Sequence, residues 1–446
     1  MIQKNTIQLS DHFTCRRLLR FTFPSIVMLI FTSIYGVVDG FFVSNFVGKT
    51  PFAAVNLIMP YLMILGCVGF MFGTGGSVLI AKTMGEGRAE RANEIFSLLI
   101  YTSAVCGVVL AVLGTAFLPR AASLMGAEGQ LLRDCVLYGV INLLALPFYI
   151  LQFEFQCLFA TAEKPKLGLY VTVAAGLTNM ALDAVFVGVF RWGLEGAAAA
   201  TALSQLVGGA VPLFYFGRKN TSRLRLVRCG FDGKALRLVC ANGSSELMSN
   251  ISMSLVSMLF NVRLMKYAGE NGIAAYGVLM YVSLVFQAVF LGYSVGAAPV
   301  IGYHHGAENY GEGRGLLRRS LAIIGVFSLL MFAAGQTLAR PLSLLFVGYD
   351  PDLLDITVRA FAIFSFSFLF SGLAIFGSSF FTALNDGLTS ALISFLRTLV
   401  FECLAVLILP LIWGLDGVWL STAAADAMAV AVTVLFLAGK RKRYHY

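Results

Sequence analysis

The sequence predicts an all-α polytopic membrane protein with about twelve transmembrane helices in two pseudo-symmetric six-helix lobes, related as a parallel repeat. Three observations predict this fold class: the apolar composition, the spacing of apolar runs and an internal duplication. Of the 446 residues, 58% are hydrophobic and 12% are charged, whereas a soluble domain is about half apolar and about one-quarter charged. So little charge cannot cover a soluble protein of this length, which excludes a soluble enzyme, a disordered chain and a fibre.

Apolar runs of helical length follow one another along the chain. A membrane-spanning helix needs about 20 predominantly apolar residues. By that measure the predicted spans are 21–46, 53–82, 95–118, 134–160, 167–190, 195–217, 240–265, 274–303, 320–340, 357–383, 388–411 and 417–438. The predicted domains are an N-terminal segment 1–20, a first lobe 21–217, a linker 218–239, a second lobe 240–439 and a basic tail 440–446.

Lys and Arg residues are distributed unevenly between alternate loops. One set of loops, together with both tails, holds 23 of the 32 basic residues, and the opposite set holds eight. Because basic residues mark cytoplasmic loops, we expect both termini to be cytoplasmic and the protein to lie in the cell (inner) membrane. The net charge of +9 is therefore assigned to orientation among membrane lipids, and no nucleic acid partner is expected.

The second half of the chain repeats the first with an offset of about 221 residues. Each copy holds six predicted spans, so both copies enter the membrane from the same side. Such a parallel repeat is typical of transporters whose substrate site lies between the two halves. The aligned pairs are 192–196 (WGLEG) with 413–417 (WGLDG), Gly75 with Gly296, Gly85 with Gly306 and Thr201 with Thr422.

Two of the acidic residues inside predicted spans of the first lobe lie at matching depth. Asp39 is in span 1 and Asp183 is in span 5, where Asn179 precedes it by one helical turn. At about 1.5 Å per residue, the two acids lie about 13 Å and about 12 Å from the outer ends of their spans. Ionisable residues at such depth are costly and mark functional sites. Their repeat counterparts are not acidic, so the pair belongs to one lobe only.

This acid pair suits coupling to a cation. A carboxylate removed from water holds a proton more readily, and a second carboxylate nearby strengthens that hold. The same carboxylates with the Asn179 carbonyl are also hard oxygen ligands that can bind sodium. Thr201 in span 6 and Tyr138 in span 4 are candidates to add hydroxyl groups. The coupling ion is thus H⁺ or Na⁺, and a merely structural, proton-sharing pair is the alternative.

Other polar residues inside spans are further candidates. Glu246 lies nine residues after Arg237, so we expect a shallow position as a second ion or substrate contact, or as an acid at a helix N-terminus. Arg397, Glu402 and Asp426 are interpreted as a structural ion-pair group, and the role of Glu154 stays open.

Aromatic and Met residues of spans 7 and 8 suit a cavity for large organic cations. Aromatic faces attract cations, and Met adapts to varied shapes. The candidates are Met253, Met258, Met280, Tyr281, Phe286 and Phe290.

Several enzyme and pump signals are missing from the sequence. Gly73-Thr-Gly-Gly follows no strand and lies within a predicted span, so it fits close helix packing better than a nucleotide loop. No Walker loop, nucleophile elbow or zinc motif is present, so we expect no enzymatic activity and no cofactor.

A set of short motifs in a fixed order resembles the multidrug and toxic compound extrusion (MATE) family, and within it the bacterial MepA-like subgroup. The set covers nearly the whole chain. It comprises Pro24, 35–39 (YGVVD), Gly48 with Ala53-Ala54, Pro60, 73–81 (GTGGSVLIA), Gly85, Asn179 with Asp183, and 192–198 (WGLEGAA) with its second copy.

The resemblance implies alternating access and export of cationic drugs against a proton or sodium gradient. It implies that Asp39 is an essential coupling residue, and that Asn179 and Asp183 form a first-lobe ion site. Some members use acids on helices seven and ten instead. Glu246 matches the first of these, but no acid lies between Asp355 and Asp386, which favours the first lobe.

Two other functions stay open at this point. A lipid-linked sugar flippase of a related superfamily would need a cationic cavity for pyrophosphate, whereas acids outnumber bases inside these spans. A polytopic membrane enzyme would need clustered nucleophiles or metal ligands. We expect a monomer whose partners are small organic cations and membrane lipids.

Overall fold

The computed structural model describes residues 7–47, 49–348 and 350–446. Within these ranges the chain is helical and contains no strand, and twelve helices are long and apolar enough to cross a membrane. The predicted all-α class and the twelve spans are therefore confirmed. Gly48 and residues 1–6 of the predicted N-terminal segment lie outside the described residues.

The twelve spans are labelled α1 to α12 in chain order. The first lobe contains α1 Cys15–Phe42 with a π-helical end Val43–Val47, α2 Lys49–Gly66 and Val68–Gly85, α3 Ala89–Leu124, α4 Gly129–Thr161, α5 Pro165–Asp183 with a π-helical end Ala184–Val189, and α6 Gly193–Gly217. The second lobe contains α7 Gly233–Gly269, α8 Asn271–Gly306, α9 Tyr310–Val347, α10 Pro351–Phe364 and Phe368–Ala383, α11 Gly387–Phe395, Leu396–Phe401 (π) and Glu402–Trp413, and α12 Leu415–Tyr444.

Most helices extend beyond the apolar runs that predicted them. α3 begins at Ala89, whereas the predicted span begins at 95, because charged residues continue the helix outside the hydrocarbon. α7 begins at Gly233, where the Asp232 side chain accepts hydrogen bonds from the first backbone N–H groups. The end of the predicted linker at 239 therefore already lies inside α7.

The described residues nearest to the two ends of the chain lie on one side of the molecule, here called the terminal face. Phe13 near the N-terminus donates its backbone N–H to Glu312 at 2.9 Å. Close by in the chain, Arg314 donates to the carbonyl of His445 near the C-terminus at 2.9 Å. An even number of spans requires this arrangement.

The two lobes join through the half of the molecule nearer the terminal face. One buried cluster contains residues of both lobes, such as Val78 and Phe155 with Val300 and Phe380. In the other half each lobe has a separate cluster, one around Ile58 and Tyr138, the other around α8, α10 and α12. Among the described residues, the main shared core therefore lies on one side, and a small cluster of Met28, Leu29 and Ala288 also joins the lobes.

Paired glycines bring the lobes together at this shared core. A Cβ on Gly85 in α2 would overlap the carbonyl oxygen of Tyr303 in α8, and a Cβ on Gly306 would overlap that of Lys82. Gly85 and Gly306 are repeat-related, so α2 and α8 cross with their equivalent glycines facing each other's backbone. Small residues of this kind allow close helix packing in membranes.

Residues 7–14, here called the N-terminal strap, cross the terminal face between the lobes. The backbone N–H of Leu9 donates to Glu163 of the first lobe at 2.8 Å, and that of Phe13 donates to Glu312 of the second lobe. The side chains of Leu9 and Phe13 are fully buried in the shared core. His12 and Glu312 also pair at 2.6 Å, so the strap is anchored to both lobes.

Gly306→Ala is expected to destabilise the protein because the added methyl group would overlap backbone, which cannot move aside as a side chain can. Overpacking of this kind costs about 1–3 kcal/mol of unfolding free energy. Thermal unfolding of the purified protein in detergent would measure the loss. Gly325→Ala in α9 is the matched control, because nothing lies within 4 Å of its Cβ position. Equal melting temperatures for the two variants would contradict the close crossing of α2 and α8.

Candidate functional site

A polar cluster in the first lobe gathers residues from four helices. Asp39 of α1 lies within interaction range of Asn179 and Asp183 of α5. Thr201 of α6 donates its hydroxyl to Asp39 Oδ1 at 3.4 Å, and Tyr138 of α4 is close to both acids. The structure thus brings together all five residues that the sequence suggested for ion coupling.

This first-lobe cluster is buried. The exposed fraction is 6% for Asp39 and zero for Asp183 and Tyr138. Among the described residues, no hydrogen-bond partner reaches either carboxylate oxygen of Asp183, the amide atoms of Asn179 or the Tyr138 hydroxyl. Within the same residues, neither acid forms a salt bridge with a basic side chain. The two acids therefore face each other without a built-in counter-charge.

Close packing of α1 against α5 produces this meeting of acids. Gly176 leaves no room for a side chain: its Cβ would lie 2.5 Å from Phe31 Cε1 and 3.0 Å from Tyr35 Cδ1. Asp39 and Asp183 lie one to two turns beyond this contact on their helices. Both acids precede π-helical stretches, Val43–Val47 and Ala184–Val189. π-Helical turns are rare and occur frequently at functional sites.

Sequence reasoning did not single out Tyr35 and Gln152, which adjoin this cluster. Tyr35 lies near both Asp39 and the Gln152 side chain, and Gln152 of α4 is 4% exposed. The position of Tyr35, four residues before Asp39, places it on the same helix face and could have signalled its role. Gln152 gave no comparable signal, because its contact depends on how α4 packs.

A second polar cluster lies in the other lobe. Thr422 of α12 donates its hydroxyl to Glu402 Oε1 of α11 at 3.0 Å. Arg397 Nε lies 3.9 Å from Asp426 Oδ1, so the ion pair expected from the sequence is present but long. Here α11 is π-helical from Leu396 to Phe401, immediately before Glu402.

Glu246 lies 13 residues after the start of α7 at Gly233, about 20 Å along the helix at about 1.5 Å per residue. Its shallow position in the membrane stays a prediction. It lines a cavity between the lobes with hydroxyl and thiol groups, namely those of Thr74, Ser77, Cys157, Ser294, Ser379 and Thr382. Arg397 is the basic residue that interacts with it.

The remaining candidates fall in different environments. Met253, Met258 and Tyr281 are exposed, at 58%, 68% and 45%. Met280 and Phe286 pack against the second-lobe core, whereas Phe290 is fully buried in the shared core. Glu154 is fully buried, and no hydrogen-bond partner within the described part of the chain reaches its carboxylate oxygens.

The described residues contain no group of three or more His, Cys, Asp or Glu side chains placed to hold a metal ion. An oxygen site that includes Asn179 is of another kind, with two carboxylates, an amide carbonyl and hydroxyl groups. The arrangement can therefore hold either a proton shared between carboxylates or a small hard cation.

A family model described as MatE matches residues 24–185 and again residues 247–407, one match in each lobe. The multidrug export protein MepA of Staphylococcus haemolyticus is 23% identical over 438 residues, covering 96% of this chain and 94% of that protein. The MepA protein of Staphylococcus saprophyticus is 23% identical over 429 residues, covering 94% and 91%.

Solved structures share this fold over the whole chain. One is described as an outward-facing conformation of a multidrug resistance MATE transporter, with TM-score 0.93, 20% identity and 99% of each chain covered. Another is a transporter of the MOP superfamily from Pyrococcus furiosus, with TM-score 0.92, 20% identity and the same coverage.

Removal of each of the two hydroxyl groups at the first-lobe cluster is expected to change the free energy of unfolding in a different direction. Thr201→Val removes a hydrogen bond to Asp39, which costs about 1 kcal/mol of unfolding free energy. Tyr138→Phe removes a buried hydroxyl that has no partner within the described residues, so it should leave stability unchanged or slightly raise it. Thermal unfolding in detergent compares the two. A larger loss for Tyr138→Phe than for Thr201→Val would contradict the geometry.

Proposed function

The chain belongs to the MatE family, and on that premise we propose that it exports amphipathic organic cations against a proton or sodium gradient by alternating access. Its relatives are multidrug export proteins, and the chain is a multidrug efflux transporter of the membrane, not an enzyme. The coupling ion, the substrate class and the antiport cycle are the parts proposed here.

One observation carries the coupling proposal: the buried Asp39 and Asp183 have no basic partner among the described residues. Two ionised carboxylates at this depth would repel each other and would lack compensation for lost hydration. A bound cation removes both costs. Because the site supplies none from its own side chains, a proton or a sodium ion from solution is the species that stabilises it.

The shape of the two-lobe core supports alternating access. Among the described residues, the main core that the lobes share lies towards the terminal face, while Asp39 and Asp183 lie in the other half, where each lobe has a core of its own. An ion that binds the first-lobe cluster therefore acts on the half of the molecule where the lobes are less tightly joined. Binding would change how α1 and α5 pack and so bias the lobe towards one of its two positions.

The distribution of charge supports cationic substrates. Glu246 lines the cavity between the lobes, and Arg397, the cation nearest to it, also faces Asp426. A pyrophosphate-linked lipid would meet an acid there and not a cationic cavity. We further propose that the terminal face is cytoplasmic, that the membrane is the inner membrane, and that a monomer carries out transport.

Asp39→Asn and Asp183→Asn are each expected to abolish ion-coupled efflux. The amide of Asn keeps the shape of the Asp side chain but carries no negative charge with which to bind a proton or a sodium ion. Ethidium efflux from cells that express each variant at the wild-type level is the measurement. Glu195→Gln is the matched control, since Glu195 is an exposed acid in the first turn of α6. Wild-type efflux in both Asn variants would refute coupling at this site.

The coupling ion is expected to be identified by imposing one gradient at a time. Ethidium transport into proteoliposomes should respond to a proton gradient or to a sodium gradient, and Asp39→Asn should remove whichever response is present. Ionophores that collapse the active gradient should stop transport. Equal transport with neither gradient imposed would mean that the protein is not an antiporter.

A further inference from the structure

The N-terminal strap, residues 7–14, joins the two lobes through anchors that lie close together in the chain. Leu9 donates its backbone N–H to Glu163 of the first lobe at 2.8 Å, and Phe13 donates to Glu312 of the second lobe at 2.9 Å. Four residues of fully extended chain span at most about 14 Å. A movement that carries the two anchors further apart than this has to break one of them.

Release of an anchor also exposes apolar side chains. Leu9 and Phe13 are fully buried in the shared core. The Phe13 ring packs edge-on against His304 of α8, with the ring centroids 6.5 Å apart. Because burial of apolar surface is favourable, the strap stabilises the arrangement in which the lobes are closed at the terminal face.

The two anchors differ in their basic partners. Glu163 has Arg223, whose Nε atom lies 3.4 Å away. Glu312 has Arg319 at 2.8 Å and the Nδ1 atom of His12 at 2.6 Å. A guanidinium stays protonated at physiological pH, whereas an imidazole changes its charge between about pH 5 and 8. The second-lobe anchor therefore contains a partner whose charge changes near neutral pH.

His12 is open to proton exchange with the solution. Its side chain is 65% exposed, whereas that of Glu312 is 9% exposed. Among the described residues, the charged or titratable groups that face His12 or its partner are Glu312 and Arg319 of α9, His304 of α8, and the Asp11–Arg17 pair of its own segment. A hydrogen bond to a carboxylate is about twice as strong when the donor is charged. A protonated His12 therefore holds Glu312 more firmly than a neutral one.

We propose that the N-terminal strap is a latch that holds the lobes together at the terminal face, and that the His12–Glu312 contact makes this latch tighter as the solution on that face becomes more acidic. The inference rests on the proposed alternating access, in which the lobes part at the terminal face. With that face in the cytoplasm, as proposed above, protons on the cytoplasmic side tighten the latch. Transport therefore slows as the cytoplasm acidifies.

The test measures the open fraction of the terminal face in the purified full-length protein in lipid nanodiscs. Nitroxide labels are attached in place of two exposed side chains, Lys166 of the first lobe and Arg318 of the second, after the native Cys residues have been replaced by Ser. Double electron–electron resonance then gives the distances between the labels at about pH 5.5 and about pH 8, on either side of the ordinary titration of an imidazole.

His12→Gln is the informative variant, because it keeps a hydrogen-bond donor but carries no charge at either pH. It is compared with the labelled parent protein at the same pH, so that the effects of other titrating groups cancel. At the acidic pH the ratio of open to closed protein should be higher in the variant by up to about fivefold, as for the loss of an exposed ion pair. At the alkaline pH the two proteins should agree.

His445→Gln is the matched control, because His445 is an exposed histidine of the terminal face that stacks on Tyr310 in α9. It should match the parent at both pH values. Equal open fractions in His12→Gln and the parent at the acidic pH would overturn the proposal, and so would an equal rise in His445→Gln.

Hydrogen exchange of the strap in the same proteins gives a second measurement. The backbone amides of Leu9 and Phe13 should exchange faster in His12→Gln than in the parent at the acidic pH. Faster exchange without a change in the distance between the labels would show that the strap loosens without freeing the lobes. That result would also overturn the proposal.

Ethidium efflux in Asp39→Asn separates this inference from the function on which it rests. If Asp39→Asn abolishes efflux and His12→Gln raises the open fraction at the acidic pH, both stand. If Asp39→Asn leaves ion-coupled efflux intact while His12→Gln raises the open fraction, coupling at Asp39 fails and the latch stands. If the labels report the same closed distance in every protein at both pH values, the latch fails whatever the efflux result.

Discussion

Two carboxylates are buried beside each other, and no basic side chain in the described part of the chain offsets them; the rest of this structure depends on that constraint. Asp39 and Asp183 are 6% and 0% exposed, and lipid surrounds the helices that carry them. Such a pair is stable only while a cation from solution is present or while one acid holds a proton. The close contact of α1 and α5 at Gly176 brings the acids together, so under the proposed function the packing of these two helices and the binding of an ion form one equilibrium.

The duplication accounts for the helix packing of the two lobes but not for the positions of their buried acidic residues. Repeat-related glycines, Gly85 and Gly306, make the crossing of α2 and α8 nearly symmetric. The equivalent threonines, Thr201 and Thr422, also keep their role as donors to an acid. The acids themselves come from α1 in one lobe and from α11 in the other. The two lobes have therefore kept their helix packing and diverged in the side chains that meet in the interior.

Most of the fold could be predicted from the sequence. Apolar runs, basic loops and the repeat depend on the membrane environment and on the duplication, and not on the details of side-chain packing. The first-lobe cluster was also predictable, since Asn179 and Asp183 share a helix face and match Asp39 in depth. The burial of Phe290 and the Thr422–Glu402 bond depend on contacts between distant helices, which no local pattern records.

The N-terminal strap has a consequence for how the chain is assembled during synthesis. Leu9 and Phe13 are made well before the acids that accept from their N–H groups, because Glu163 and Glu312 follow 154 and 299 residues later. The strap cannot bind the second lobe until the start of α9 has left the ribosome. This segment therefore reaches its final place only after the whole first lobe and the beginning of the second have been made.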